Sequence, residues 1–441
     1  MNPDTIVAPA TPPGRGGVSL IRLSGPTSKH IAKKITGLNS LKNRRSLLTA
    51  IQGVGGVIDD VLIVFFKKPS SYTGEDVIEI SCHGNPNIVD CIIELILEKG
   101  ARLADPGEFT KRAFLNGKLD LIQAESVAAL IASKSKVAAS MNQRALAGKL
   151  STKINNLRNS LVTLLSRIEF ELDISEHDTP DKNLPEILHK SLNDNILKTQ
   201  QLLESFEEGK LYNSGARVVI FGAPNVGKST LLNSLVRKDR AITSQTPGTT
   251  RDTIDADIVL DGIPVVLVDT AGVRQTREGV EGDGVRRSFD EIRKADLVIY
   301  VYCDNDSESY LIDYIIDMPH IVVFNKVDLS ENPIQTNGVF SISALLGDGV
   351  DDVRKEIPKF LKNSINSGSD DVLTTRRQVR AVSGSNKKIT AALTLLKNTE
   401  PQLEIIALEI RDAIAELDAL LGKTTVDDVL GQMFSDFCVG K

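Results

Sequence analysis

The hydrophobic pattern near the N-terminus predicts a domain of mixed α and β structure. Short apolar runs at residues 17–23, 60–66 and 76–80 are bounded by turn residues, and apolar positions three and four apart follow over 87–99. Short apolar runs bounded by turn residues favour β-strands, and spacing of three and four favours a helix. We therefore expect residues 1–118 to form an α+β domain.

After this domain the spacing becomes helical over long stretches. Residues 120–173 contain no proline and a single glycine, which predicts one or two long helices, and the same character returns over 376–421. Because two helical blocks flank a different block, we expect one all-α domain, residues 119–214 and 366–441, with another domain inserted into it. Two separate helical domains are the alternative.

The inserted domain, residues 215–365, alternates apolar runs of strand length with helix-like stretches. The runs lie at 218–221, 264–268, 297–302 and 320–324. Strands that alternate with helices favour a doubly wound, mostly parallel sheet with helices on both faces.

Composition excludes several classes of protein. The 441 residues carry a formal net charge of −6, so no overall basic field indicates nucleic-acid binding, although a local basic patch is compatible with it. The cysteines have no C-x-x-C spacing, which argues against a zinc site or disulfide framework, and Cys82, Cys91 and Cys303 are expected to be buried. No apolar stretch is long enough for a membrane span and no secretory signal is visible, so a cytoplasmic protein is expected.

A glycine-rich loop connects a predicted strand to a predicted helix. Residues 222–229 have the pattern G-x-x-x-x-G-K-[ST], in which backbone N–H groups and the helix N-terminus surround phosphate oxygens. Lys228 is expected to act catalytically on the β- and γ-phosphates, and the Ser229 hydroxyl to bind Mg²⁺. The loop predicts nucleotide binding.

Further motifs identify the nucleotide as GTP. Asp269-Thr-Ala-Gly272 follows a predicted strand, as the second signature of a P-loop NTPase does. A buried carboxylate at Asp328 would accept hydrogen bonds from guanine and so select GTP over ATP. Thr250, or its neighbour Thr249, would complete the magnesium shell from a mobile switch loop. The predicted GTP site comprises Asn225, Val226, Gly227, Lys228, Ser229, Thr230, Ser244, Gln245, Thr246, Pro247, Gly248, Thr249, Thr250, Asp269, Thr270, Ala271, Gly272, Asn325, Lys326, Asp328, Ser343 and Ala344.

One catalytic group is missing from these motifs. Val273 follows Gly272 where Ras-like enzymes place a glutamine that orients the attacking water. Because an apolar side chain cannot do this, another group must supply the contact or hydrolysis will be slow.

The motifs resemble those of the TrmE-Era-EngA-like GTPases and, within that group, the MnmE (TrmE) family of tRNA-modification GTPases. The resemblance covers the whole chain and includes residues 11–17 and 437–441, outside the GTPase domain. It implies a homodimer that forms a heterotetramer with the flavoprotein MnmG. The implied reaction adds an aminomethyl or carboxymethylaminomethyl group to C5 of the wobble uridine of certain tRNAs. An Era- or EngA-like switch GTPase that binds RNA or the ribosome, without folate chemistry, is the alternative.

The resemblance also implies that the N-terminal domain dimerises and binds a tetrahydrofolate, as the 5-formyl or 5,10-methylene derivative. Arg22, Glu79, Lys118 and Lys441 match the family's folate contacts, and Cys438 would lie near the one-carbon unit. Strand alternation alone equally allows Arg22 and Glu79 to face solvent.

GTP hydrolysis in the family depends on potassium. Asn225 matches the potassium ligand of the P-loop, and the backbone carbonyls around Ser244, Thr246 and Thr249 match the loop around the ion. Glu281 matches the glutamate that takes over the water-orienting role.

Overall fold

The apolar runs of the sequence form two six-stranded sheets. The computed structural model of the chain describes residues 4–173, 183–237, 255–270, 290–304, 312–313, 315–330, 338–363, 371–398, 401–424, 434, 437 and 440. It divides into two compact units, one of residues 1–128, 145–159 and 414–441, the other of residues 129–144 and 160–413. Each unit contains one of the sheets.

The first sheet is mainly antiparallel. Its strands are β1 (Ile6–Pro9), β2 (Gly16–Ser24), β3 (Ser46–Gly53), β4 (Gly56–Phe66), β5 (Val77–Gly84) and β6 (Arg102–Leu103). Their order is β3-β4-β5-β2-β1-β6, and only β1 and β6 pair in parallel. Alternate residues such as Ile21, Ile63 and Ile80 are fully buried and form a core with the apolar faces of α1 (Ser28–Thr36) and α2 (Pro86–Glu98).

A series of helices follows this sheet along the chain. They are α3 (Glu108–Leu115), α4 (Leu121–Ala132), α5 (Lys136–Leu146), α6 (Lys149–Leu172) and α7 (Leu184–Ser214). The expectation of one or two helices over 120–173 is wrong, because three form there. Ser135 Oγ accepts a hydrogen bond from the Ala138 N–H at 3.2 Å and caps α5, and Gly148 with φ +82° separates α5 from α6.

The second sheet is mainly parallel. Its strands are β7 (Ala216–Phe221), β8 (Asp255–Leu260), β9 (Ile263–Asp269), β10 (Leu297–Tyr302), β11 (His320–Asn325) and β12 (Val339–Ile342). Their order is β12-β11-β10-β7-β9-β8, and only β8 pairs antiparallel to its neighbour. Val218 and Ile220 belong to a core on one face, with α8 (Lys228–Arg237) and α9 (Val350–Lys362), whereas Val219 and Phe221 belong to a core on the other. Burial on both faces explains why β7, β9 and β10 are almost continuously apolar.

Two further helices, α10 (Arg376–Leu396) and α11 (Leu403–Leu421), complete the described elements. Thr375 and Gln378 form a capping box at the start of α10, which satisfies N–H groups of the first helical turn. The Asn386 side chain of α10 donates to Thr199 Oγ1 of α7 at 2.5 Å. None of the helices described is long and apolar enough to cross a membrane.

Candidate functional site

The glycine-rich loop connects the end of β7 to the first turn of α8. Gly222 has φ +152° and Gly227 has φ +97°, and between them Asn225 takes φ +65°. A Cβ atom at Gly222 would lie 2.0 Å from the carbonyl oxygen of Val301, so the loop packs closely on the neighbouring strand. Glycine permits both the backbone angles and the close approach, and the loop leads directly into a helix N-terminus suited to anions.

Polar side chains converge on this loop. Lys228 is 6% exposed, and its Nζ donates to the carbonyl oxygens of Gly222 at 3.0 Å and Ala223 at 2.7 Å. The ammonium group is therefore turned back over the loop. Ser229 Oγ donates to the buried carboxylate of Asp269. A hydroxyl and a carboxylate in contact are the hard oxygen ligands that Mg²⁺ prefers, so this pair fits a magnesium site.

Asn325 links the phosphate loop to the loop after β12. Its side chain is 2% exposed, donates from Nδ2 to the carbonyl oxygen of Val226 at 2.7 Å, and accepts at Oδ1 from the Ala344 N–H at 2.9 Å. A Cβ atom at Gly227 would lie 2.2 Å from Asn325 Nδ2. The sequence motifs predict that Asn325 belongs to the GTP site, but they do not predict this link, which involves backbone groups from two distant segments.

The expected guanine-binding segment lies at the same edge of the sheet. Lys326 has φ +67° and begins a short 3₁₀ turn in which Asp328 is exposed, so the expectation of a buried carboxylate is wrong. Ser343 is fully buried, and its Oγ accepts from the Leu346 N–H at 3.2 Å, which shapes the loop beside Ala344.

Of the other predicted site residues, the structure describes some and not others. Thr270 Oγ1 donates to the carbonyl oxygen of Ile220 at 3.0 Å and joins the end of β9 to β7. Thr230 is exposed in the first turn of α8. The remaining predicted residues lie outside the described part of the chain: Ser244, Gln245, Thr246, Pro247, Gly248, Thr249, Thr250, Ala271, Gly272, Val273, Glu281, Cys438 and Lys441.

A second polar pocket lies in the first unit. Arg22 of β2 and Glu79 of β5 are directly paired across the strands, with Nη2 and Oε1 2.8 Å apart. Arg22 is 9% exposed, and its guanidinium carbon lies 5.3 Å from the ring centre of Tyr72 and 5.8 Å from that of Phe109. The alternative that these strand charges both face solvent is therefore wrong for Arg22.

Gly440 contacts the same guanidinium. Arg22 Nη1 donates to the Gly440 carbonyl oxygen at 3.3 Å. Gly440 has φ +95°, and a Cβ atom there would lie 2.1 Å from the carbonyl oxygen of Pro9. Burial raises the pKa of the Tyr72 hydroxyl, which shares a 2.8 Å hydrogen bond with Thr110 Oγ1. The pocket thus combines a cation, a carboxylate and a neutral phenol, a set that suits a ligand with both donors and acceptors.

Lys118 lines a cleft of the first unit that the ion pair does not line. Its side chain lies against Gly74, where a Cβ atom would be 3.3 Å from Lys118 Cγ. It lines a cleft of about 600 Å³ together with Asp120 and Lys423, and neither Arg22 nor Glu79 lines that cleft. The described residues therefore bring two of the four expected folate contacts together.

The cysteines depart partly from expectation. Cys82 is buried and Cys303 is half-buried, but Cys91 is exposed, so the prediction for Cys91 is wrong. The buried face of α2 is formed by Val89, Ile92 and other residues, and Cys91 falls outside it. In the portion that the structure describes, no group of three His, Cys, Asp or Glu side chains is placed to hold a metal ion.

Comparison with known proteins identifies the family of the chain. Residues 5–118 match the family described as "GTP-binding protein TrmE N-terminus", and residues 121–438 match the "MnmE helical domain". The tRNA modification GTPase MnmE of Thermosipho melanesiensis is 40% identical over 444 residues, which cover 99% of this chain and 100% of the relative. That of Pseudothermotoga lettingae is 38% identical over 454 residues, with 100% of both chains covered. A crystal structure of Aquifex aeolicus Era is 26% identical and covers 42% of this chain and 69% of its own, with a TM-score of 0.26. Because the first two relatives align over essentially their whole length, the chain belongs to the MnmE family of tRNA modification GTPases.

Proposed function

We propose that this protein hydrolyses GTP and, together with MnmG, modifies C5 of the wobble uridine of certain tRNAs with a one-carbon unit from a tetrahydrofolate. The observation that carries the proposal is the linked phosphate loop, in which Lys228, Ser229 and Asp269 converge and Asn325 joins the loop to Ala344. Full-length similarity to tRNA modification GTPases supports the tRNA substrate. We propose domain boundaries at 1–118, 119–214 with 366–441, and 215–365, in a cytoplasmic homodimer.

In this proposal the second sheet positions the nucleotide. The Lys228 ammonium group exchanges the loop carbonyls for phosphate oxygens, and Asp328 accepts hydrogen bonds from guanine. Ser229 and Thr250 hold Mg²⁺, and the Ser229–Asp269 contact supports the choice of Ser229. When bound, Mg²⁺ neutralises the charge that develops on the phosphate oxygens.

Asn225 is the proposed potassium ligand of the described loop, with the carbonyls of Ser244, Thr246 and Thr249 as its partners. The exposed position and φ of +65° at Asn225 present its side chain at the rim of the loop, where an ion beside the phosphates would lie. Bound K⁺ would supply positive charge near the transferred phosphoryl group. Glu281 is proposed to orient the attacking water.

Potassium dependence has a direct test. GTP turnover should be faster in potassium than in sodium at equal ionic strength, and Asn225→Ala should remove most of the difference. Pro224→Ala, at an exposed position of the same loop, is a control that leaves the proposed ligand in place. Equal rates of the wild-type protein in the two salts would remove the potassium assignment.

For the folate we propose Arg22, Glu79, Lys118 and Lys441 as contacts, with Cys438 near the one-carbon unit. The paired Arg22 and Glu79 support this, because a carboxylate and a cation match a pterin edge and a folate carboxylate. Calorimetry with 5-formyltetrahydrofolate should show binding that Arg22→Ala abolishes. The absence of any heat of binding to the wild-type chain would contradict the folate assignment.

The activity as a whole is tested by nucleoside analysis of tRNA. In cells that lack this protein, the wobble uridine of the affected tRNAs should lose its C5 substituent, and the wild-type chain should restore it. Copurification with MnmG tests the partner. Unchanged wobble modification would overturn the proposed function.

A further inference from the structure

Helix α10 is strongly basic, although the chain as a whole is acidic. It carries Arg376, Arg377, Arg380, Lys387 and Lys388 and no carboxylate, although the whole chain has a formal net charge of −6. The next helix, α11, is rich in carboxylates. A strongly basic helix is therefore followed along the chain by an acidic one.

Three of these cations form a stripe on the exposed surface of α10. Arg376, Arg380 and Lys387 are all exposed. At about 100° and 1.5 Å per residue, they lie within about 40° of one another around the helix and extend over about 16 Å along it. Lys388 is turned away by about 120° and lies 3.2 Å from Glu409 and 2.8 Å from Asp412 of α11.

Among the residues that the structure describes, the stripe has no carboxylate partner. Within the described ranges, no carboxylate forms an ion pair with Arg376, Arg380 or Lys387, whereas Lys355 and Lys359 of α9 each pair with an acid three residues earlier. Arg376 also lies in the first helical turn, where the helix dipole disfavours a cation. The absence of ion pairs within the described ranges, together with the helix dipole at Arg376, indicates that these cations do little to stabilise the helix.

We propose that the Arg376–Arg380–Lys387 stripe binds the phosphate backbone of the tRNA. Arginine and lysine are the side chains that neutralise phosphates, and Ser383 on the same face adds a hydroxyl suited to phosphate oxygens. α10 contains no aromatic residue on which a base could stack, so the stripe fits the backbone of a helical stem. This inference rests on the proposed tRNA substrate and adds the surface that holds it.

The test compares two triple variants of the full-length chain. The first is Arg376→Ala with Arg380→Ala and Lys387→Ala. The matched control removes the same charge from exposed positions of α7, by Lys190→Ala with Lys198→Ala and Lys210→Ala. Binding of unmodified tRNA is measured by fluorescence anisotropy across a range of potassium chloride concentrations. GTP turnover and circular dichroism report whether each variant is folded.

We expect the α10 variant to bind tRNA at least tenfold more weakly at ~0.1 M salt. The slope of log K against log salt should become less steep by about 2 to 3, because each lost phosphate contact removes roughly 0.7–0.9 from the slope. The tRNA affinity of the α7 control should stay within about twofold of wild type. The variant Arg376→Lys with Arg380→Lys, which keeps the charge, should retain most of the binding.

If the α10 variant keeps the wild-type affinity and salt slope, the proposed tRNA-binding role of the stripe is wrong, whereas the proposed function stays intact. Equal weakening by the two triple variants would also overturn it, because only total charge would then matter. If the wild-type chain neither binds tRNA nor supports wobble modification, the proposed function fails together with the stripe.

Discussion

Removal of the Asn325 side chain should uncouple the phosphate loop from the rest of the GTP site. Asn325→Ala leaves two buried backbone groups, the Val226 carbonyl and the Ala344 N–H, without the hydrogen bonds they now make at 2.7 and 2.9 Å. An unsatisfied buried group costs ~1–3 kcal/mol, so the two together cost about 2–6 kcal/mol. If GTP binds only when the loop has its wild-type geometry, even a cost of about 2 kcal/mol weakens GTP binding by roughly 30-fold.

The assay is titration of the full-length protein with a fluorescent GTP analogue, alongside thermal unfolding. Asn142→Ala is a matched control, because Asn142 is 1% exposed and donates to Ser133 Oγ at 3.0 Å and to Asn213 Oδ1 at 2.6 Å. Both variants should be destabilised, but only Asn325→Ala should lose GTP affinity. A GTP affinity within about threefold of wild type in folded Asn325→Ala would refute the reasoning.

Three other substitutions test the sites separately. Ser229→Ala should lower magnesium-dependent GTP turnover by at least about tenfold, and an unchanged magnesium titration would contradict its role as a ligand. Gly440→Ala should weaken 5-formyltetrahydrofolate binding in calorimetry but leave GTP turnover intact, because the added Cβ would lie 2.1 Å from the carbonyl oxygen of Pro9. Burial acts to raise the pKa of Glu108, but hydrogen bonds from two arginine side chains and a backbone N–H outweigh it and hold the pKa below its ordinary value. The resulting stabilisation is present above the ordinary pKa of a glutamate and is lost as pH falls through the lower folded pKa, so Glu108→Gln should flatten acid unfolding measured by circular dichroism.

The sequence predicts the second sheet well, because its strands are buried on both faces and therefore appear as continuous apolar runs. The edge strand β8 has no such run, since Asp255 and Asp257 are exposed along it. For the same reason the apolar pattern does not predict β3, in which only Ile51 is buried. Strands at the edge of a sheet have too few buried positions for the apolar pattern to reveal them.

The motifs predict which residues gather at the nucleotide site but not how they are joined. The pattern around Asn325 indicates a guanine-binding loop, yet its hydrogen bonds reach Val226, 99 residues away. Likewise the charges at Arg22 and Glu79 are visible in the sequence, whereas their direct pairing depends on the register of β2 against β5. Local patterns carry no information on such registers, so these contacts require the structure.

The contact between Arg22 and Gly440 determines when, during synthesis, the polar pocket around Arg22 becomes complete. The two residues are 418 positions apart, and at ~5–20 residues per second their synthesis is separated by roughly 20–80 s. All six strands of the first sheet lie within residues 6–103, so the sheet can pair early on the ribosome. The first sheet of a nascent chain can therefore fold long before Gly440 reaches Arg22. If the proposed folate binds there, tight binding reports a chain that has been translated through to Gly440.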